Sequence, residues 1–454
     1  MPVVLPQAKQ GRWLPAADGV SRLARETLIY TIGGVLLRSA SFVLTPVLTR
    51  ALTQDAFGAL DILFTLQAMA TTLAGLNLDV AIARYFYEHD ADDRMRFVSS
   101  LLWPLVALGL VAAMGLTAGA GVISQRLFRT TNYRIAVMVI GWTVPCVVVS
   151  TSGLSLVRFE RRPAAFIALS GFGVLAQLGL VILAVRVYPA DVTIVIIAIA
   201  VAQALVALVV VLHCRRYFQG GFSWPSLRRA LTFSLPQFPS AIISWYLASA
   251  NRFFLLSFST LAAVASFAGA ARINSVMLAL IQAFSLAWLP FAMSIMHTSQ
   301  ARETYARVMY LVVGVLSIVT VALALTARVF LFYYAGPAYA PAAMTASILV
   351  LSSVVSPGFG WFLGLGLFIR ERPLYVSIAQ SLAFIVNTAL NIWLIPTWGA
   401  EGAAVAVLGG SVAQIAAIAI VSNHFYPIKY NRLVWAGPVA ASLVILLARW
   451  LGLT

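Results

Sequence analysis

Arginine and aspartate side chains stand inside stretches of this chain that are otherwise apolar enough to sit in lipid. Arg38 and Arg50 lie in one such stretch, Asp61 and Asp79 in the next, and Arg252 and Arg272 in two later neighbours. An ionisable group at the bilayer centre costs roughly 2.5–3.5 kcal/mol on insertion scales, so each must face a partner or an aqueous cavity. The planar guanidinium grips phosphate oxygens through paired hydrogen bonds, and four guanidiniums against two carboxylates suit an anionic ligand. The plainer alternative is that Arg38 pairs with Asp61 or Asp79, and Arg272 with a backbone carbonyl, only to knit helices together.

The spacing around these groups is helical. Thr31, Gly34, Arg38, Ser41, Thr45 and Thr49 recur at three- and four-residue steps, which puts them on one face. Asp61, Thr65, Ala68, Thr72, Gly75 and Asp79 repeat the pattern. Gln237, Ser240, Ser244 and Asn251, flanked by Trp245, Ser249 and Arg252, form a third face, and Arg272, Ser275, Ala279 and Gln282 a fourth. Four such helices would enclose a hydrophilic cavity.

The elements that carry these faces are membrane helices. Of 454 residues, 61% are hydrophobic and only 10% charged, with a mean hydropathy of +0.94, which excludes a soluble globular domain and indicates an all-α polytopic membrane protein. A hydrocarbon core of about 30 Å needs about 20 apolar residues per helix. Cutting at charged and Pro/Gly punctuation predicts spans over 28–50, 57–83, 97–122, 135–157, 164–187, 192–213, 231–256, 262–285, 304–327, 342–368, 373–396 and 400–422. A thirteenth, 434–452, is interrupted by Pro438 and Arg449 and could cross the membrane or lie along it.

The net charge of +16 would suggest nucleic acid in a soluble protein. Here it sorts by side. With the N-terminus in the cytoplasm, twenty of the thirty basic residues fall in cytoplasmic segments and eight outside, as the positive-inside rule requires. The basic loops then face anionic membrane lipid, and no nucleic-acid partner is expected. Residues 1–27 contain no apolar run long enough for a cleavable signal peptide.

A segment recurs. Phe159-Glu-Arg-Arg-Pro163, between spans four and five, returns as Ile369-Arg-Glu-Arg-Pro373 between spans ten and eleven, and Thr49-Arg50 has a counterpart in Asn251-Arg252. Six spans (28–213, an N-lobe) precede the basic linker 214–230, and six (231–422, a C-lobe) follow it, leaving 423–454 as a C-terminal segment. An even number of spans per half gives both halves one orientation, a parallel repeat of the kind that rocks around a central site in secondary transporters. Nucleotide-binding, metalloprotease and nucleophile-elbow motifs are missing, and the two external loops of about a dozen residues carry no carboxylate. An enzyme is therefore not expected. Cys146 and Cys214 supply neither a disulfide framework nor a metal site, and no cofactor is called for.

Leu44-Thr-Pro-Val-Leu-Thr-Arg50-Ala-Leu-Thr-Gln-Asp-Ala-Phe-Gly58, with Gly75-Leu-Asn-Leu-Asp79 after it, resembles the first two helices of Wzx-type bacterial polysaccharide flippases. These form a branch of the multidrug/oligosaccharidyl-lipid/polysaccharide (MOP) exporters. Asn387-Thr-Ala-Leu-Asn391 followed by Pro396, Gly399 and Gly402-Ala-Ala is similar to the same family's junction of helices eleven and twelve. The resemblance implies a two-lobed bundle in the bacterial inner membrane that moves an undecaprenyl-pyrophosphate-linked glycan outward by alternating access. A proton or sodium gradient, or the membrane potential, would drive it, with a polysaccharide polymerase and a chain-length regulator as partners. On that resemblance Arg38, Arg50, Arg252 and Arg272 would hold the pyrophosphate and acidic sugars, and Trp245, Asn251, Asn274 and Gln282 would meet sugar hydroxyls. Asp61 and Asp79 would serve ion coupling. A lipid II flippase and an ion-coupled drug exporter are the alternatives within the superfamily.

Overall fold

The computed structural model describes residues 41–452, apart from 89, 189–190, 373, 429 and 431; Arg38 and the segment 1–27 lie outside them. The described residues form helices and no strands. The N-terminal half comprises α1 (41–51), α2 (Gln54–Gly75), α3 (Leu78–Tyr85), α4 (Ala91–Phe128), α5 (Arg134–Phe159), α6 (Pro163–Val187) and α7 (Val192–His213). A short α8 (Arg215–Phe218) and α9 (Trp224–Ser234) then lead into α10 (Phe238–Ser249), α11 (Asn251–Phe258), α12 (Leu261–Ser294) and α13 (Ala301–Tyr334). The chain ends with α14 (Ala343–Ser353), α15 (Phe359–Leu363), α16 (Leu365–Ile369), α17 (Leu374–Phe425) and α18 (Ala436–Trp450). Among the described residues nine helices are long and apolar enough to cross a membrane, or ten with the bent unit α9–α11 counted as one. This is a multi-pass membrane protein.

Small polar residues start the helices by accepting from free backbone N–H groups. Thr53 Oγ1 takes the Ala56 N–H, Thr260 Oγ1 the Ala263 N–H at 3.1 Å, and Asp191 Oδ1 the Thr193 N–H at 2.7 Å. Two ends are built alike. Arg161 and Glu371 both adopt φ 55°, and around each the chain closes the same pair of bonds. Arg162 N donates to Val157 O and Arg161 N to Arg158 O; Arg372 N donates to Leu367 O and Glu371 N to Phe368 O. The left-handed residue that ends a helix in this way occupies the same place in both copies of the recurring segment.

Several spans differ from continuous helices. Leu76 and Asn77 take left-handed φ of 43° and 58° and cut the second span into α2 and α3. The seventh bends by 49° between α10 and α11. Pro357 lies in a π-helical turn, Val354–Gly358, in the tenth, where the missing N–H costs least. The linker is itself part helical: α9 buries Leu227, Ala230 and Ser234 and runs through a 3-10 turn into α10. In α17 two helices meet at Gly399, whose φ 50°, ψ −125° is open to glycine. A Cβ on Gly402 would stand 2.6 Å from the Leu394 carbonyl oxygen and 2.8 Å from its carbon. Gly402→Ala is therefore expected to destabilise the protein by about 2–3 kcal/mol; an unchanged thermal melt would show that this close approach is dispensable.

The thirteenth predicted span is a 15-residue helix, α18, shorter than the roughly 20 residues a full crossing needs. It packs on α13 and α14. A 3-10 turn, Arg432–Trp435, runs directly into it; before that turn Tyr426–Ile428 and Tyr430 are non-helical, and Tyr430 donates its hydroxyl to Phe362 O at 3.1 Å. The far end is tied by Arg449 to Glu401 at 2.9 Å and by Arg328 to the Gly452 carbonyl.

Near the linker, Glu160 is shared by Arg162 at 3.1 Å and by Arg216. Burial alone would raise its pKa, but hydrogen bonds from Tyr217 and Arg216 and the charges of Arg216 and Arg162 outweigh that and hold the carboxyl below its ordinary value. A depressed carboxylate stabilises the fold above its unfolded pKa of about 4.3 and loses that contribution as pH falls through the folded value. Glu160→Gln should thus lower the melting temperature at pH 7, with the gap to wild type shrinking below about pH 4. A gap independent of pH would refute the assignment.

The halves press together at one end of the bundle, where α2 lies on α12. A methyl built on Gly58 would overlap the Leu261 carbonyl. Gln54 Nε2 donates to Ala338 O at 2.7 Å, Phe57 meets the Tyr339 ring edge-on at 6.0 Å, and the Tyr334 hydroxyl donates to Phe42 O at 2.5 Å. Two cavities lie further along the bundle, on either side of α10.

Candidate functional site

The cavities have volumes of about 540 and 520 Å³ and flank α10, whose Ser244 and Ala248 line both. The first is walled mainly by the N-terminal half and contains Thr71, Thr72, Asp79, Ser152 and Trp245. The second belongs to the C-terminal half and contains Asn251, Arg252, Arg272, Asn274, Ser353 and Asn387. A third, small chamber of about 40 Å³ lies between Arg272, Asp61, Thr45 and Gln177.

Two of the four arginines meet in the second cavity. Arg252 follows the bend between α10 and α11. Its Nε donates to Asp61 Oδ2 at 2.5 Å, its Nη1 donates to Ala248 O at 3.1 Å, and its guanidinium lies 5.5 Å from the Phe267 ring centroid. Asp61, only 7% exposed, comes from α2 in the other half, so the pair crosses between halves. Arg272, on α12, faces the cavity and the small chamber at once, and its Nε is buried with no hydrogen-bond partner among the described residues. Two guanidiniums against one carboxylate leave a net positive site. The low dielectric of the surrounding membrane-embedded bundle strengthens any field within it.

Amides and hydroxyls surround these charges. Asn251, 1% exposed, accepts from Asn391 Nδ2 at 2.7 Å, and the same Nδ2 donates to Asn387 Oδ1 at 2.9 Å. This ladder ties α11 to α17. Asn274 Oδ1 accepts from Ser353 Oγ at 2.8 Å, and Ser356 Oγ donates to Gln414 Oε1 at 2.9 Å. Ser353, Asn387 and Gln414 join the site beyond the residues expected from the sequence. The i, i+4 spacing of Asn387 and Asn391 was the available signal, because it places two amides on one helix face.

The other expected residues are dispersed. Asp79 is exposed in the first turn of α3 and lines the first cavity, which Trp245 also lines with its Nε1 buried and unpartnered among the described residues. The break at Leu76–Asn77 thus separates Asp79 from Asp61, which the helical stripe had put on one face. Arg50 is exposed at the closed end and donates to the Tyr333 carbonyl at 2.7 Å. Gln282 is exposed on α12 and, like Arg50, lines neither cavity. Arg38 lies outside the described residues.

A second buried polar knot lies in the N-terminal half. Gln67 Nε2 donates to Gln203 Oε1 at 2.9 Å and also to Thr143 Oγ1, joining α2, α5 and α7. Each cavity is thus backed by a buried amide network that fixes the helices carrying the charged groups, with Asn391 Oδ1 alone of the Asn251–Asn387–Asn391 ladder left without a partner among the described residues.

Comparison with known proteins gives the architecture its context. A family model described as polysaccharide biosynthesis protein matches residues 23–297. No curated protein matches the sequence. Among solved structures, a lipid II flippase MurJ in an inward closed conformation aligns with TM-score 0.66 at 11% identity, over 93% of this chain and 97% of that one. An inward-facing MATE-family multidrug resistance transporter gives TM-score 0.66 at 15% identity, over 90% and 94%. A MOP transporter from Pyrococcus furiosus, described as having a binding pocket of reversed polarity, gives 0.62 at 15%, over 94% and 96%. At such identities these likenesses report the fold, which matches the all-helical bundle expected from the sequence, and the matched family model covers more than half of the chain. The chain belongs to the polysaccharide biosynthesis protein family.

Proposed function

We propose that the protein flips an undecaprenyl-pyrophosphate-linked oligosaccharide across the bacterial inner membrane for surface-polysaccharide assembly. The observation that carries this reading is the pairing of Arg252 and Arg272 in one amide-rich cavity of about 520 Å³. Guanidiniums hold the pyrophosphate, while Asn274, Ser353 and Gln414 offer hydrogen bonds to sugar hydroxyls. Trp245, on the other wall of α10, suits a sugar face. The end of the bundle opposite Gly58 carries Arg84, Arg158, Arg161, Arg215 and Arg216, so the positive-inside rule makes it cytoplasmic.

Driving force comes from an ion gradient or the membrane potential. Asp79, exposed in the first cavity, is the carboxylate free to exchange a cation, whereas Asp61 is engaged by Arg252. Polymerase and chain-length regulator would take the delivered glycan on the outer face.

The test is flipping in proteoliposomes that contain a fluorescent polyprenyl-pyrophosphate oligosaccharide, read by quencher access. Flipping of this cargo, without export of a cationic dye, is expected. Dye export without glycan flipping would instead favour a drug exporter using the Asp79 and Trp245 cavity.

A further inference from the structure

The arginine site already contains an anion. Arg252 spends its Nε on Asp61, while Arg272 next to it keeps a buried Nε without a partner among the described residues. Paired recognition of a phosphate uses two N–H groups on one edge of a guanidinium, so a phosphate that engages Arg252 through its Nε edge must take that N–H from Asp61. We propose that Asp61 is the resident counter-ion of the cargo site, displaced from Arg252 when a phosphate-bearing headgroup binds, and that its displacement releases the closed end. The inference rests on the anionic-cargo reading above.

Three features carry it. A guanidinium held at membrane depth requires a counter-charge, and Asp61 supplies one. The pair joins α2 to α11, one turn of α2 beyond the place where Gly58 lies against Leu261, so it ties the halves at the end that must open. Asp61 and Arg272 also share the 40 Å³ chamber, which is roomy enough for a water and keeps the carboxylate near a second cation after Arg252 is taken. Only an anionic ligand competes with a carboxylate for these groups, so the exchange makes opening conditional on the charge of the cargo. By linkage, the ligand opens the far end to the extent that it binds the released state more tightly.

The test uses inorganic pyrophosphate as the probe on the full chain in nanodiscs. Calorimetry is expected to show it binding Asp61→Asn about tenfold more tightly than wild type, since the competing charged hydrogen bond is gone. Spin labels at Asn132→Cys and Val329→Cys, with both native cysteines replaced by serine, report the separation of the halves at the closed end. Pyrophosphate should lengthen that distance in wild type, and Asp61→Asn should show the longer distance without ligand. Asp61→Ala, which removes the acceptor altogether, repeats both measurements should the asparagine variant fold poorly. Equal or weaker binding by the Asp61 variants, with binding to wild type intact, overturns the displacement and leaves the anionic-cargo reading standing. Tighter binding with an unchanged distance overturns the release. No pyrophosphate binding to any of these proteins overturns both the displacement and the anionic-cargo reading.

Discussion

Proteoliposomes carrying Arg252→Ala together with Arg272→Ala should flip a polyprenyl-pyrophosphate oligosaccharide at least about a hundredfold more slowly than wild type. Each guanidinium lost removes charge-assisted hydrogen bonds worth about 1.5–3 kcal/mol apiece, and these two are the cavity's cationic residues. The double variant also leaves Asp61 without its partner in the membrane, which adds repulsion toward an anionic cargo. Arg50→Ala is the internal comparison. It removes a guanidinium that binds the Tyr333 carbonyl at the closed end, away from the cavity, so cargo binding there should be little changed. A double variant that flips at the wild-type rate would move the cargo path away from this cavity.

Gly58→Ala should act on conformation more than on folding. Alanine is the better helix former by about 1 kcal/mol, so α2 itself gains. Closure loses, because the added methyl overlaps the Leu261 carbonyl across the interface between halves. Overpacking of about 1–3 kcal/mol confined to one state shifts the equilibrium between states by roughly 5- to 150-fold. The labels at Asn132→Cys and Val329→Cys should report a larger open population at this end with a melting temperature near wild type. A large drop in melting temperature without a change in distance would mean that Gly58 is packing within a single rigid unit.

Gly58 and Gly402 illustrate what the sequence does and does not disclose. Apolar runs locate the spans, because lipid forces backbone hydrogen bonds to close within each helix, and the boundaries of α5, α6 and α7 fall within a residue or two of those expected. The recurring Arg-rich segment locates two turns of one backbone form. Side-chain partners are different in kind. Arg50 and Arg252 occupy matching sequence positions, yet one turns to a carbonyl 283 residues away and the other to a carboxylate 191 residues away. No local pattern encodes either choice. The separation of Asp61 from Asp79 depends on left-handed Leu76 and Asn77, and leucine there carries no turn signal. Gln282 falls in register with Arg272, but α12 has 34 residues and carries it beyond the cavity wall.

The C-terminal helix has a consequence for biogenesis. With 15 residues, an arginine at position 449 and only a single 3-10 turn, Arg432–Trp435, joined to its start, α18 is a poor substrate for independent insertion from the translocon, which reads apolar length segment by segment. Its binding groove on α13 and α14 exists only after those helices have assembled, and Glu401, which receives Arg449, arrives later still. Docking of this tail is thus a post-translational step that seals a bundle already built. Chains cut before Ala436 should insert normally and then be cleared by membrane quality control as incompletely closed.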